Sequence, residues 1–407
     1  MQYISSRGTA PVLNFSDALL TGLAVDGGLY VPQYYPQFTP SDFRRFRNMS
    51  YAQVAYHVMR PYVGDCIKPS VLKHIIDTTY NGFADERVVP VRKLQDQAEN
   101  GQPLYVCELF HGPTIAFKDF ALQFLGRLFD TVLAERGDRI TIVGATSGDT
   151  GSAAIEACKN RDNIDIFILH PLGKTSVVQR KQMTTVNAPN VRNIALKGTF
   201  DDCQDLVKAM FNDTDMRYRL NLSAVNSINW ARIMAQVAYY IYAAIRIGVP
   251  DTKVSFSVPT GNFGNVLAGY FAMRMGLPVD QFMVASNAND ILARYFIHKD
   301  MSMQQVVETY SPSMDIQVSS NFERLIFESV NRDGAKVTDI MRTFRETGTM
   351  PVDDDIWHKM TKKFQGFALD NAGTVSAMTK WHGITNQVFD PHSVIGIEAG
   401  SDRKSVV

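Results

Sequence analysis

A lysine in apolar surroundings is the first residue of this chain that could do unusual chemistry. Lys118 lies in the stretch ELFHGPTIAFKD, between Phe117 and Phe120, just ahead of apolar residues that recur every four positions. Asp119 suits the start of the predicted helix, where a carboxylate offsets the positive end of the dipole. An amine in such a place has its charged form disfavoured and can attack an aldehyde. Most lysines are solvated surface charges, so this interpretation needs support from elsewhere in the chain.

A loop of small residues follows a predicted strand in ITIVGATSGDTGSAAIEA (140–157) and leads into a helix. Backbone N–H groups, the helix dipole and the hydroxyls of Thr146, Ser147 and Thr150 converge there, with Asp149 in the first helical turn. An anion could bind at this point. The glycine spacing matches neither a dinucleotide-binding fingerprint nor a P-loop. A tight turn without a ligand is an equally good interpretation of this segment alone.

A second glycine-rich turn lies in VPTGNFGNVLAGYF (258–271), again between a strand and a helix. Gly261 and Gly264 allow the backbone to approach an oxyanion, and Asn262 and Asn265 add amide donors. Because the loop carries no positive side chain, it suits a phosphate held mainly by N–H groups. The phosphate of a fixed cofactor fits this description better than a nucleotide triphosphate.

A third candidate for anion binding is the basic pair in VVQRKQMTT (177–185). Arg180 and Lys181, beside two threonines, could clamp a second phosphate. The alternative, a solvated helix face, is the commoner origin of such a pair.

Together these features predict a cofactor that offers an aldehyde to a lysine and a phosphate to a glycine-rich loop. Pyridoxal 5′-phosphate has both groups. No metal site is predicted, because His111, His170 and the other histidines are scattered. The sequence also lacks the G-x-S-x-G turn of a serine nucleophile.

The elements that must position these residues alternate between short β-rich runs and helical patterns. Strands are predicted at 104–109, 140–145, 164–169, 191–197, 253–258 and 282–286. Helices are predicted at 50–63, 70–80, 120–136, 150–159, 176–185, 202–211, 230–247 and 265–275, with a largely helical region beyond Asp290. This alternation predicts an α/β fold with mostly parallel sheets, in which ligands lie at the carboxyl ends of strands.

The chain of 407 residues is too long for one simple core. We predict an N-terminal subdomain over 1–95 and an α/β domain over 96–250 that carries Lys118 and the substrate loop. A second α/β domain over 251–407 would carry the phosphate loop.

Composition narrows the possible partners and the compartment. Lysine plus arginine equals aspartate plus glutamate at 41 each, so no charge pattern suggests nucleic acid or anionic lipid. The four cysteines are far apart, which fits a reducing compartment. The first residues lack the pattern of a signal or transit peptide, and no apolar run approaches membrane-spanning length. A cytoplasmic monomer or homodimer acting on a small molecule is expected.

Several long motifs, in the right order, resemble the threonine synthase family of fold type II pyridoxal-phosphate enzymes. The resemblance covers residues 1 to about 396, and it is carried by APVLNFSDALLTGLAVDGGLYVP, HGPTIAFKDFALQ, GATSGDTGSAAIEA, QRKQMTT, LSAVNSINWARI, VPTGNFGNVLAGY and SSNFERLIFE. It implies two α/β domains with an N-terminal subdomain. The implied reaction converts O-phospho-L-homoserine and water to L-threonine and phosphate.

The resemblance also implies roles for individual residues. Lys118 matches the family's Schiff-base lysine, which would also move protons at the α and β carbons of the substrate. The cofactor-phosphate loop matches Gly261, Asn262, Phe263 and Asn265. The loop that faces the substrate carboxylate matches Thr146, Ser147, Asp149 and Thr150. The expected contacts to the substrate phosphate fall at Arg180 and Lys181.

The chain departs from the family pattern after FDPHSVIGIEAG (389–400). The family continues through a Thr-Ala-His-Pro stretch whose hydroxyl is expected to meet the pyridine nitrogen, whereas this chain ends in SDRKSVV. We therefore expect a C-terminal domain that is apparently truncated, and we assign neither Ser401 nor Ser405 to that contact. Two alternatives stay open: a phospho-lyase that releases 2-oxobutyrate, ammonia and phosphate, and a catalytically silent protein that binds the cofactor.

Overall fold

A computed structural model of the protein describes residues 1–99, 101–146, 148–223 and 227–401. The predicted residue Ser147 lies outside these ranges. In the described residues the strands form two parallel sheets of three and four strands, an antiparallel sheet of three strands and a separate antiparallel pair.

The N-terminal region combines a small sheet with four helices. Its antiparallel strands lie in the order β2-β1-β3 and comprise β1 (Gln2–Ser5), β2 (Leu13–Asn14) and β3 (Tyr30–Pro32). The helices are α1 (Phe15–Thr21), α2 (Pro40–Phe46), α3 (Tyr51–Val63) and α4 (Pro69–Tyr80). Ser50 caps α3 by accepting from the backbone of Gln53, and the two predicted helices here are confirmed. The short strands have too few residues to show a period-two pattern in the sequence.

An antiparallel pair links this region to the rest of the chain. It consists of β4 (Val91–Gln95) and β5 (Leu104–Cys107). The predicted strand at 104–109 therefore exists, but it pairs with the strand just before it and does not join a parallel sheet.

The four-stranded sheet is parallel throughout, in the order β8-β7-β6-β9. Its strands are β6 (Ile140–Ala145), β7 (Ile164–Pro171), β8 (Val191–Leu196) and β9 (Leu222–Ser223). The helices of this part of the chain are α5 (Lys118–Arg136), α6 (Asp149–Cys158), α7 (Val177–Thr184), α8 (Phe200–Asn212), α9 (Thr214–Arg219) and α10 (Trp230–Arg246). The predicted strands and helices of this sheet are confirmed to within two residues at each end.

The three-stranded parallel sheet has the order β10-β11-β12. Its strands are β10 (Val254–Pro259), β11 (Val279–Ser286) and β12 (Phe364–Ala368). The helices are α11 (Gly264–Arg274), α12 (Ile291–His298), α13 (Phe322–Ser329), α14 (Gly334–Thr347), α15 (Asp354–Thr361), α16 (Asn371–Thr385) and α17 (Pro391–Ser401).

Strand β12 was not predicted, because the chain beyond Asp290 reads as largely helical. Its sequence FQGFA has no β-branched residue and a central glycine, so the local preference for a strand is weak. Gly366 fits because a Cβ there would lie 2.4 Å from the carbonyl oxygen of Ala293 in the adjoining helix. Packing against a distant segment therefore selects the strand.

The core connects the N-terminal helices with both parallel sheets. Helix α10 is buried from Trp230 to Ile245, and the Trp230 ring lies against Tyr3, Tyr62 and Phe271. The fold is thus the mixed α/β architecture that the sequence predicts. None of the helices in the described ranges has the length and apolar character needed to cross a bilayer.

Candidate active site

Lys118 is the first residue of α5, two positions earlier than the predicted helix start. The loop before it is fixed by Asp119, whose fully buried carboxylate accepts from the backbone N–H of Thr114 at 2.7 Å and from its hydroxyl at 2.8 Å. Gly112 is needed in this loop, because a Cβ there would lie 2.5 Å from the Cβ of Asp119. These contacts set the direction in which the Lys118 side chain leaves the helix.

Asp149 is the partner of that side chain. The Lys118 amine donates to Asp149 Oδ2 at 3.0 Å, and the hydroxyl of Ser313 donates to the same oxygen at 2.6 Å. The amide of Gln179 donates to Oδ1. Burial acts to raise the pKa of Asp149, but the Lys118 charge and the Ser313 hydroxyl outweigh it, so that the pKa falls to about 2. One ionised carboxylate therefore joins α5, α6, α7 and the turn around Ser313.

The loop before Asp149 is held by Thr146. The buried Thr146 hydroxyl accepts from the backbone N–H groups of Gly148 at 3.0 Å and Gly151 at 2.9 Å. Its oxygen is thus used within the loop, whereas Thr150 is partly exposed at the start of α6. Contact of this loop with a substrate carboxylate stays a prediction.

The second glycine-rich turn lies between β10 and α11, and three consecutive residues donate hydrogen bonds to it. Ser319 donates to the carbonyl of Gly261 at 2.8 Å, and the backbone and side-chain N–H groups of Asn321 donate to the carbonyl of Asn262 at 3.2 and 3.1 Å. Ser320 donates to the side-chain oxygen of Asn262 at 3.2 Å. These contacts fix the turn, and the first N–H groups of α11, which have no acceptor within the helix, can donate to an anion.

Phe263 anchors this turn in an uncommon backbone conformation. Its φ of +60° lies in the left-handed region, which favours glycine, yet its ring is buried and packs against Phe296, Phe322 and Phe364. The aromatic packing compensates for the backbone strain.

Asn265 has its amide orientation fixed by two tyrosines. The hydroxyls of Tyr239 and Tyr240 donate to its Oδ1 at 2.5 and 2.8 Å. The amide nitrogen must then point away from these rings, as a donor.

The two predicted anion loops are connected through Ser313. A Cβ on Gly261 would lie 3.2 Å from both Met314 Cα and the carbonyl oxygen of Ser313, the residue whose hydroxyl reaches Asp149. Asp149 and Asn265, one residue from each loop, border a cleft of about 1350 Å³. Its walls include Thr114, Asp149, Gln179, Tyr239, Asn265 and His392.

The predicted basic pair is not drawn into this cleft. Arg180 and Lys181 are exposed on α7, while Gln179 and Gln182 of the same helix face the site. Gln182 donates to the carbonyl of Thr114 at 3.0 Å. A role for the basic pair toward the substrate phosphate therefore stays a prediction from the family resemblance.

His392 is a residue of the cleft that sequence reasoning missed. It lies at the start of α17, and its buried Nδ1 has no hydrogen-bond partner among the described residues. Burial, with a smaller effect of the Lys118 charge, lowers the pKa of the imidazole although Asp390 and Asp149 oppose this. A neutral imidazole therefore faces the Lys118–Asp149 pair at neutral pH. Only the dipeptide Pro391–His392 after an aspartate marks it in the sequence.

The residues of this site can be compared with those that pyridoxal 5′-phosphate needs. The cofactor needs a lysine amine at one end and backbone donors for its phosphate at the other. The Lys118 side chain is 14% exposed, and its partner Asp149 lines the cleft, as does Asn265 beside the glycine-rich turn. These residues fit the cofactor.

A lysine at a helix start and a glycine-rich turn at the end of a parallel strand, in a fold with two parallel sheets, are features of a fold type II pyridoxal-phosphate enzyme. Two family models match the chain: "Threonine synthase N terminus" over residues 2–80 and "Pyridoxal-phosphate dependent enzyme" over residues 83–343. The chain belongs to the threonine synthase family.

Individual relatives agree with this assignment. The chain is 50% identical to the threonine synthase of Pseudomonas aeruginosa over 100% of its own length and 86% of the relative. It superimposes on the pyridoxal-phosphate-bound threonine synthase of Brucella melitensis with a TM-score of 0.96 and 48% identity, covering 100% of this chain and 86% of that one. Threonine synthase-like 2 of Rattus norvegicus is 34% identical over 98% of this chain and 82% of the relative.

Proposed function

We propose that the protein converts O-phospho-L-homoserine and water to L-threonine and phosphate. The observation that carries the proposal is the chain of contacts from Lys118 through Asp149 and Ser313 to Gly261. It supports the proposal because it brings the Lys118 amine and the glycine-rich turn into one connected set of residues. The higher identity to a threonine synthase than to a threonine synthase-like protein favours the synthase over the phospho-lyase.

Bound between Lys118 and the turn, pyridoxal 5′-phosphate supplies an electron sink that makes the α and β protons of the substrate acidic. The N–H groups from Gly261 to Asn265 hold the cofactor phosphate and so fix the position of its ring. The Lys118 amine removes and returns protons at the α and β carbons. Asp149 keeps this amine in place through the 3.0 Å contact.

The substrate itself has two anionic groups to bind besides its amine. We assign its carboxylate to the loop of Thr146, Ser147, Asp149 and Thr150. Since Asp149 is ionised, the donors for a carboxylate must be backbone N–H groups and hydroxyls of that loop. We assign the substrate phosphate to Arg180 and Lys181. Because both side chains lie outside the cleft, α7 must move closer to it for them to reach the substrate.

We further propose a cytoplasmic monomer or homodimer with domains over 1–95, 96–250 and 251–407. The four free cysteines support a reducing compartment. The separate sheets at 140–223 and 254–368 support the division after residue 250.

The test is to incubate the purified holoenzyme with O-phospho-L-homoserine and measure L-threonine, 2-oxobutyrate and phosphate. Threonine and phosphate in equal amounts are expected. Formation of 2-oxobutyrate and ammonia would assign the phospho-lyase, and no phosphate release would leave a silent cofactor-binding protein.

Lys118→Ala should remove both the visible absorbance of the bound cofactor and turnover, because the amine that meets the aldehyde is lost. The exposed Lys208, which pairs with Asp205 on α8, provides the control. Lys208→Ala should keep both signals. A Lys118→Ala protein with an unchanged visible spectrum contradicts the assignment of this lysine.

A further inference from the structure

Ser313 is the residue through which a turn near the second parallel sheet contacts Asp149. It lies in the short 3₁₀ turn Pro312–Met314, between α12 and α13, and its hydroxyl donates to Asp149 Oδ2 at 2.6 Å. The Lys118 amine donates to the same oxygen at 3.0 Å. The carboxylate therefore has two donors on one oxygen, and the donor from the distant turn is the closer of the two.

Asp315 holds this turn in place by accepting four hydrogen bonds from uncharged groups. Its Oδ1 accepts from the amides of Asn287 at 2.7 Å and Asn289 at 3.0 Å, and from the hydroxyl of Thr309 at 2.6 Å. Its Oδ2 accepts from the backbone N–H of Thr309 at 3.0 Å. Because Asn287 directly follows β11, these contacts tie the turn to the carboxyl end of the central strand of its sheet. The position of the Ser313 hydroxyl therefore depends on Asp315.

The contact with Ser313 gains importance when Lys118 is used for the cofactor. A neutral amine that bonds an aldehyde carbon gives up both of its hydrogens in the water that leaves, so Lys118 then has fewer hydrogens to donate to Asp149. The hydroxyl of Ser313 and the amide of Gln179 stay as side-chain donors to this carboxylate. A largely buried carboxylate needs such donors to remain charged and in one orientation.

We propose that Ser313 is a positioning residue that holds the Asp149 carboxylate while Lys118 is engaged with the cofactor, and that Asp315 acts through Ser313. Loss of the hydroxyl should raise the pKa of Asp149, because this hydrogen bond favours the charged form. The titratable groups that face Asp149 are Lys118 on α5 and His392 on α17, and both are kept in the variants below. This inference deepens the proposed function and rests on it for the role of Lys118.

The experiment compares the holoenzymes of wild type, Ser313→Ala, Ser313→Thr, Asp315→Asn and the double variant Ser313→Ala/Asp315→Asn. Alanine removes the hydroxyl at an exposed position, and threonine keeps it. Ser70→Ala, at an exposed serine in the first turn of α4, is the matched control. Two quantities are measured as a function of pH: the kcat and KM for O-phospho-L-homoserine, and the visible spectrum of the bound cofactor. The spectrum should respond to the Asp149 charge, because that carboxylate lies beside the Lys118 nitrogen.

Ser313→Ala should lower kcat about tenfold while KM stays within about twofold of wild type. It should also move the acid limb of kcat and of the spectral titration upward by about one pH unit. Ser313→Thr and Ser70→Ala should both follow wild type. Asp315→Asn should move the acid limb in the same direction as Ser313→Ala. The double variant should move it no further than Ser313→Ala alone, because Asp315 acts through the hydroxyl.

The proposal is overturned if Ser313→Ala leaves the acid limb and the spectral titration as in wild type, or if Ser313→Thr loses as much as Ser313→Ala. A lower thermal midpoint without a shift of the acid limb also overturns it, because Ser313 would then be a structural residue. Additive shifts in the double variant would refute the part assigned to Asp315. The spectral titration does not require threonine formation. If wild type makes no threonine but Ser313→Ala shifts the spectral titration, the proposed function fails and the assignment of Ser313 stands.

Discussion

Asp149→Asn removes the carboxylate charge with little change in the size of the side chain. Asp149 is the residue at which α5, α6, α7 and the turn around Ser313 meet. The carboxylate accepts from Lys118 and Ser313 and is only 26% exposed. The asparagine can still accept from the Ser313 hydroxyl through its oxygen, but it cannot neutralise Lys118, and its amide nitrogen replaces the oxygen that accepts from Gln179. The pH dependence of the loss therefore separates the electrostatic part from the lost hydrogen bond.

The expected loss follows from the pKa of this carboxyl group. Burial alone would raise it, but Lys118, Ser313 and His392 lower it from 3.8 to about 2 in the folded protein. Because the folded-state pKa lies below the unfolded value, the contribution to stability is complete above pH 3.8 and is lost as the pH falls toward 2. The difference corresponds to about 2 kcal/mol at pH 7 and about 1 kcal/mol at pH 3.

Urea unfolding of wild type and Asp149→Asn at pH 7, 5 and 3 measures this difference. The gap in unfolding free energy should be the same at pH 7 and 5 and about half as large at pH 3. Asp65→Asn is the matched control, since the Asp65 side chain is fully exposed and 3.5 Å from Arg60. It should leave the unfolding free energy unchanged at each pH. A gap for Asp149→Asn that is equally large at pH 3 would attribute the loss to packing and refute the electrostatic reasoning.

Two further substitutions test the phosphate turn and the attachment of the N-terminal region. Gly261→Ala should weaken cofactor affinity about tenfold, because the new Cβ would meet backbone atoms of Ser313 and Met314 at 3.2 Å. Gly383→Ala, in the interior of α16 with nothing within 4 Å, is its control and should add roughly 0.5–1 kcal/mol of stability without affecting the cofactor. Equal cofactor affinities in absorbance titrations of the two variants would argue against the turn as the phosphate site. Glu323→Ala should lower the unfolding free energy by about 3 kcal/mol, because the buried carboxylate accepts from Arg7 at 3.1 and 3.2 Å and its loss leaves that guanidinium unpaired. An unchanged urea midpoint would contradict this.

The sequence predicted those features of the structure that depend on neighbouring residues of the chain. The positions of Lys118 at a helix boundary and of the glycine-rich turn between a strand and a helix were predicted from local patterns, whereas the roles of these residues toward a cofactor stay predictions. The strand at 140–145 was predicted to the residue, since a buried parallel strand has a continuous apolar run that ends in small residues. The sequence pattern behind each of these predictions spans about ten residues of chain.

What the sequence did not show depends on contacts between distant segments. Asp149 was predicted as part of an anion loop, but its pairing with Lys118 and Ser313 requires α5 and the turn at 312–314 to pack beside α6. The burial of the His392 imidazole beside Asp149 and Lys118 is a property of its surroundings and leaves no trace in the local sequence. The pairing of β5 with β4 likewise could not be predicted, because β4 itself was not predicted from the sequence.

The meeting of four segments at Asp149 has a consequence for how the protein acquires its cofactor. The contact with Ser313 spans 164 residues of chain, so it can form only after both parallel sheets have found each other. Contacts of such separation close large loops and belong to the late, slow part of folding. A nascent or half-folded chain should therefore remain colourless, and the appearance of the bound cofactor's colour reports that the whole molecule has finished folding.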